Sequence, residues 1–355
     1  MNDRLKALAA ILREGEAALV LSESNRFYYT RFAADAGALW VTSTEAAFLT
    51  DSRYTEAACR VIRDIPVIES DGFFADTVKT LAKKGIRTLL LEDDTLTVAA
   101  RRRFMKQANG VELVTDSTLR RRIAEARLKK DETERLCIRL AQTITEQGFR
   151  YILTRIGEGR TEKEIALELE MYMRQHGAER VAFDFIVASG KNGALPHAVP
   201  GDRRLQKGDF VTLDFGAVAK GYRSDMTRTV AIGEVSAEQR EVYDTVLRAQ
   251  EACLRGLRAG MTCAEGDRLA RAVIEQAGYG HAFRHSTGHG VGIDIHEAPT
   301  MSSRSEEILQ AGTVVTVEPG IYLEGRFGVR IEDMVVVTET GIENLTGAPK
   351  ELLIL

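Results

Sequence analysis

The sequence predicts two joined domains of different class: an α/β domain over residues 1–127, then an α+β domain over residues 128–355 built from two pseudo-symmetric halves. Three observations predict this. At 355 residues the chain exceeds what one core usually serves, and the prior is about two domains of roughly 100 to 200 residues each. Up to about Arg127, short apolar segments alternate with helical stretches, whereas from Lys129 long helices lead into strand-rich runs. In that second part the order of helices then strands occurs twice, and each occurrence contains the same helix-start signature.

From Met1 to Glu14 charges run throughout, with Leu5, Leu8 and Leu12 at helical spacing, the pattern of an amphipathic helix rather than a secretory leader. Ala17 to Leu21, Ala38 to Val41, Ala46 to Leu49 and Thr88 to Leu91 read as strands, with a hairpin at Ser43-Thr44-Glu45 and helices around Tyr54 and after Thr95. No cluster of His, Cys or paired carboxylates falls here, so this part reads as a structural or interface domain. The second part opens with Lys129-Lys130-Asp131-Glu132 leading into Leu136, Ile138, Leu140 and Ile144. Thr161-Glu162-Lys163-Glu164 and Thr262-Cys263-Ala264-Glu265 are capping boxes, in which hydroxyl and carboxylate satisfy the free amides of a helix start; the two helices end near Gly177 and Gly278.

Composition excludes several classes. Hydrophobic residues make up 44% and charged residues 28%, an ordinary globular balance. The net charge is −4, with 48 basic residues dispersed among 52 acidic ones, which argues against a surface that tracks nucleic acid. Arg101-Arg102-Arg103 and Arg120-Arg121-Arg122 read as solvated faces. Cys59, Cys137, Cys253 and Cys263 form no CxxC pair, which fits reduced thiols in the cytoplasm. No apolar run approaches the roughly 18 residues of a membrane span.

Acidic residues stranded in apolar runs carry the chemistry. Asp214 lies in Phe210-Val211-Thr212-Leu213-Asp214-Phe215-Gly216 and Asp225 in Tyr222-Arg223-Ser224-Asp225-Met226, with Lys220-Gly221 between them as a turn signal. One such aspartate would be a turn or edge residue; two on paired strands repel unless a cation is shared. His281, His285 and His289 are spaced as on a helix face, but glycines at 288, 290 and 292 favour loop and strand. Asp294 and His296 share one side of a period-two run. Glu318 ends the strand Thr313 to Val317, and Glu332 sits between Ile331 and Asp333. An ion pair with Arg330 would account for either glutamate singly, though not for the group. One imidazole with four carboxylates is a ligand set for two divalent metals, and paired metals commonly hydrolyse amides or phosphoesters.

In the contexts LDFGA, SDMTRT, TGHGVG, VEPGIY and VRIEDM, these five residues resemble the metal ligands of the metallopeptidase family with the pita-bread fold. Ala194-Leu195-Pro196-His197 and Ile295-His296-Glu297 resemble the branch of Xaa-Pro aminopeptidases and Xaa-Pro dipeptidases (prolidases). Phe27-Tyr28-Tyr29-Thr30 and Leu49 to Tyr54 resemble the creatinase-type amino-terminal domain. The resemblance implies that Asp214 binds one metal through both oxygens, that Asp225 and Glu332 bridge, and that His289 and Glu318 complete the second metal. It further implies that His197 and His296 position the scissile group and assist proton transfer, that Arg330 orients the bridging carboxylates or contacts substrate, and that His285 and Phe183 line the substrate pocket. Two divalent ions are expected, manganese first, with cobalt, zinc and iron as others. A homodimer acting on proline-containing peptides is implied as well. Where prolidases often carry an arginine that grips the dipeptide's carboxylate, this chain has Thr300. That departure favours an Xaa-Pro aminopeptidase, with the dipeptidase as the alternative and a non-catalytic protein-binding module as the remoter one.

Overall fold

The computed structural model describes residues 1–355, which divide into two compact units, Met1–Arg127 and Leu128–Leu355. The first contains α1 (Asp3–Ala9), β1 (Glu16–Val20), α2 (Glu23–Thr30), β2 (Ala38–Thr42), β3 (Ala46–Thr50), α3 (Thr55–Val61), β4 (Val67–Glu69), α4 (Phe73–Lys83), β5 (Thr88–Leu91), α5 (Val98–Gln107), β6 (Glu112–Val114) and α6 (Thr118–Leu128). Its strands make one sheet in the order β4-β3-β2-β1-β5-β6, antiparallel from β1 to β3 and parallel at the remaining pairs. Leu19, Trp40, Leu49 and Leu91 pack with Phe74, Val78 and Leu81 of α4, while Val20, Leu39 and Phe48 are buried too. Strands covered on both faces read as continuous apolar runs, which is why they stand out in the sequence without alternation. The expected hairpin joins β2 to β3, with Val41 opposite Ala46 and the Thr42 amide donating to the Glu45 carbonyl at 2.8 Å.

The second unit starts with α7 (Glu132–Leu153) and α8 (Glu162–Gln175). These are followed by β7 (Arg180–Val181), β8 (Ile186–Ser189), β9 (Phe210–Phe215), β10 (Ala217–Ala219), β11 (Tyr222–Arg223) and β12 (Met226–Ala231). A second helix pair, α9 (Ala237–Gly256) and α10 (Cys263–Gln276), then precedes β13 (Gly288–Gly290), β14 (Glu297–Met301), β15 (Val314–Val317), β16 (Gly320–Leu323), β17 (Phe327–Arg330), β18 (Asp333–Val337) and β19 (Ile342–Asn344).

Each helix pair closes its own core. Ile144, Phe149 and Ile152 of α7 with Ile165, Leu169 and Met173 of α8 bury Val187, Val211, Leu213 and Val230. Val242, Val246 and Ala249 of α9 with Ala270 and Ile274 of α10 bury Val315, Val317, Val335 and Val337. The duplication suggested by the sequence is therefore present as a helix pair over strands, twice. All four helices start in a capping box: besides Thr161/Glu164 and Thr262/Glu265, the structure has Asp131/Glu134 on α7 and Ser236/Gln239 on α9. An aspartate cap, or a glutamine three residues on, satisfies the same amides, so reading only Thr-x-x-Glu found half of them.

Candidate metal centre

The first half supplies two acids from one antiparallel pair. In β9 and β12 Asp214 lies opposite Thr227. Asp225 precedes Thr227 by two residues, so period-two alternation returns it to the same face, diagonal to Asp214. Lys220 and Gly221, at φ of 51° and 76°, make the tight turn from β10 to β11 that brings the chain back. The second half supplies His289 in β13, Glu318 just past β15 and Glu332 just before β18. A Cβ at Gly288 would fall 1.9 Å from the Thr316 carbonyl oxygen and one at Gly290 2.3 Å from that of Ala298. Only glycine on either side of His289 lets β13 lie this close to its neighbours.

The five side chains line one cavity of about 970 Å³, together with His197, His285, His296, Arg330 and Phe183. Ligand atoms of Asp225, His289 and Glu332 lie within 4.8 Å of one another. His289 Nε2 is 3.6 Å from Asp225 Oδ2 and 3.3 Å from Glu318 Oε1. Threonines hold the acids from behind: Thr227 Oγ1 donates to Glu332 Oε2 at 2.7 Å and Thr316 Oγ1 to Glu318 Oε1 at 3.1 Å. Asp214 Oδ2 accepts from Arg330 Nη2 at 2.5 Å, while its Oδ1 is buried and has no partner.

This electrostatic arrangement fits cations. Burial, then the neighbouring Glu332 and Asp214, push the Asp225 carboxyl well above its ordinary range; burial, then Glu318 and Asp214, do the same to Glu332. Burial raises Glu318 to about 7 despite Arg330. Burial lowers His289, keeping it neutral, and its Nδ1 faces the Gly290 carbonyl at 3.1 Å. That carbonyl only accepts, so Nδ1 carries the hydrogen and Nε2 turns a lone pair toward two carboxylates. Acceptors facing acceptors in a buried cage, with an orphaned carboxylate oxygen beside them, are stable only with protons or metal ions between them.

A pH dependence follows for metal-stripped protein. A folded-state pKa raised to about 7 for Glu318 means the folded chain holds a proton that the unfolded chain releases near 4.5. This contribution to stability is full below about pH 4.5 and is lost as pH rises to about 7; Asp225 and Glu332 act in the same direction. Melting of stripped protein is expected at a lower temperature at pH 8 than at pH 5.5, with added divalent metal closing the gap. Equal melting temperatures without metal at both pH values would show that the acids do not repel.

The remaining residues divide by what they can still offer. Arg330 donates to Asp214, to Tyr322 Oη at 2.7 Å, to the Pro196 carbonyl at 3.3 Å and, through Nε, to Thr227 Oγ1 at 3.1 Å. It ties Asp214 to the threonine under Glu332, so it orients acids. His285 Nδ1 is 2.8 Å from the Ser286 carbonyl and Nε2 is 2.8 Å from Tyr322 Oη. Burial, then Arg330, lower its pKa to about 4, so the ring is neutral, Nδ1 donates, and Tyr322 must donate to Nε2 while accepting from Arg330. With both nitrogens engaged, His285 lines the cavity with no ring nitrogen left free. His296 lies 4.3 Å from the His289 ring and is exposed at the cavity, as is His197. Sequence reasoning missed Tyr322, Thr227 and Thr316. The signal for Thr227 was available, since Asp225 and Thr227 alternate onto one face.

A caged set of four carboxylates and one imidazole, carried where two similarly built halves meet, defines a metal-dependent hydrolase with the pita-bread fold. Residues 136–339 match the model of metallopeptidase family M24, and residues 4–127 match the creatinase/prolidase N-terminal domain. The chain belongs to metallopeptidase family M24, whose members use divalent metal ions.

It is 35% identical over 355 residues to the Xaa-Pro dipeptidase of Pyrococcus furiosus, covering 99% of this chain and 100% of that one. Two solved structures resemble it over 99% of its length. One is an Xaa-Pro dipeptidase from Bacillus anthracis (41% identity, 99% of that chain, TM-score 0.94) and the other an X-Pro aminopeptidase from Thermotoga maritima (38%, 100% of that chain, 0.91). Dipeptidase or prolidase is the commoner name among such relatives.

Proposed function

We propose that this chain is a dinuclear metal-dependent Xaa-Pro dipeptidase, with catalysis assigned to residues 128–355. The observation that supports it is the complete cage of Asp214, Asp225, His289, Glu318 and Glu332 in a chain whose full-length relatives are mostly named dipeptidases. This replaces the expectation of an aminopeptidase, which rested on Thr300 alone. Loss of one cation near a substrate carboxylate weakens binding without preventing hydrolysis of a short substrate.

Bound divalent ions supply Lewis acidity and bring the pKa of a coordinated water near neutrality. The oxygen-rich donor set favours manganese, with cobalt, iron and zinc to be compared. Asp214, Asp225, His289, Glu318 and Glu332 would hold the ions, and Arg330 with Thr227 and Thr316 fixes the carboxylates. Proline's nitrogen lacks a hydrogen in the peptide and must gain a proton to leave. We assign that proton delivery to His197, which is exposed and lines the cavity. His296, whose pKa burial lowers, stays neutral and can turn a ring N–H toward the developing oxyanion. Phe183, Ile186, Pro196 and Ile295 line the cavity with apolar surface for the pyrrolidine.

A specific observation also favours the aminopeptidase as second reading. Arg330 is the only arginine on the cavity wall, no lysine lines it, and Arg330 donates to protein acceptors. Hydrolysis of Ala-Pro against Ala-Pro-Ala with manganese tests both: a higher kcat/KM on the dipeptide is expected, and a preference for the tripeptide would restore the aminopeptidase.

The assembly is taken to be a homodimer of 39.2 kDa chains, checked by sedimentation. Four free cysteines fit a reducing cytoplasm, and no helix is long and apolar enough to cross a membrane.

A further inference from the structure

A buried carboxylate outside the metal cage grips the loop that carries His197. Glu162, the first residue of α8, is fully buried. It accepts from the Ser189 amide and hydroxyl, both at 2.7 Å, from Asn192 Nδ2 at 3.1 Å to each oxygen, and from the Gly201 amide at 3.0 Å. The helix start is joined to the same stretch, because the amides of Glu162 and Lys163 donate to the carbonyls of Arg203 and Gly201, each at 3.2 Å. Both ends of the segment 189–201 therefore meet one side chain, with His197 between them. Between these ends the larger apolar side chains contribute little, Leu195 being 59% exposed and Val199 84%, while the small Ala194 and Ala198 are buried and the Pro196 carbonyl accepts from Arg330.

We propose that Glu162 is a positioning residue for His197, holding the 189–201 segment so that the imidazole stays at the cavity rim; this rests on the peptidase reading above. A carboxylate suits the task because it only accepts, and every group around it donates. Glutamine of the same shape turns an NH2 toward one of those donors, so one end of the clasp must open.

Glu162→Gln, with metal content equal to the parent, is expected to lower kcat on Ala-Pro by about 10- to 100-fold with KM changed far less, as displacement of a catalytic group by about 1 Å does. Asn192→Ala, which removes one arm and spares the buried carboxylate, is expected to act in the same direction more weakly and covers the case in which the glutamine variant misfolds. In a His197→Ala background Glu162→Gln is expected to cost no further activity, since its effect passes through a group already absent. Without substrate, amide hydrogen exchange across 190–201 is expected to rise about tenfold or more in Glu162→Gln, with β9 and β12 unchanged. Full additivity with His197→Ala, or loop exchange equal to the parent, would overturn the assignment. A parent enzyme inert on every Xaa-Pro substrate would instead sink the peptidase reading, and the exchange measurement would then decide the clasp by itself.

Discussion

Replacing Glu332 with glutamine is expected to abolish turnover, by more than about 10³-fold, while making the metal-stripped protein more stable at pH 8. The two effects have one cause. Burial and the charges of Glu318 and Asp214 hold the Glu332 carboxyl far above its ordinary range, so its ionised form is destabilising until a cation meets it. Glutamine keeps the shape and the bond from Thr227, removes the repulsion, and removes a charge that is proposed to hold the ions. Loss of outer partners of a metal ligand typically costs about 10- to 100-fold, and loss of the ligand itself costs more. Opposite signs for activity and stability mark a residue kept for function at a cost to the fold. Parallel melting curves and Ala-Pro hydrolysis for parent and variant check this. A variant that melts lower than the parent when both are stripped would mean that Glu332 is a structural acid.

The second large effect lies one residue away on the other side of the strands. Arg228, between Thr227 and Thr229, is fully buried and is paired with Asp333 at 2.8 Å. It also donates to the carbonyls of Thr227, Glu332, Ala348 and Pro349. Burial by itself would raise the Asp333 carboxyl, but Arg228 and Lys350 outweigh it and hold it below its ordinary value. Arg228→Met leaves Asp333 short of its main partner and several buried carbonyls without donors. Breaking a buried pair from one side costs about 3–5 kcal/mol. At roughly 2–4 °C per kcal/mol for a unit of this size, the melting temperature is expected to fall by about 10 °C. Manganese affinity should weaken as well, because Arg228 joins β12 to the backbone of Glu332. Arg139→Ala, which breaks the exposed pair with Glu343, is the control and should cost less than about 1 kcal/mol. Equal losses from the two variants would contradict the buried brace.

These residues show what the sequence could and could not convey. Asp225, Thr227 and Thr229 alternate with Met226, Arg228 and Val230, so one strand carries site chemistry on one face and a core brace on the other. Period two makes that visible in SDMTRT. Glu332-Asp333 divides in the same way, into a cage acid and the partner of Arg228. The paired acids, the turn at Lys220-Gly221 and the glycines around His289 were legible because each follows from local chemistry. What Arg330 bonds to was not, since its partners are up to 134 residues away in sequence. The engagement of both His285 nitrogens by Ser286 and Tyr322, which leaves neither of them free, depends on tertiary placement that no spacing encodes. The choice between aminopeptidase and dipeptidase was not legible for a related reason: a single missing arginine at Thr300 says what one contact lacks, and specificity is a difference summed over a whole cavity.

The most direct test is calorimetric titration of stripped protein with manganese. Two ions per chain are expected for the parent, with Asp225→Asn and His289→Ala each losing at least one of them. Failure of the parent to bind manganese or any other divalent ion, or binding that survives both substitutions unchanged, would contradict the metal cage.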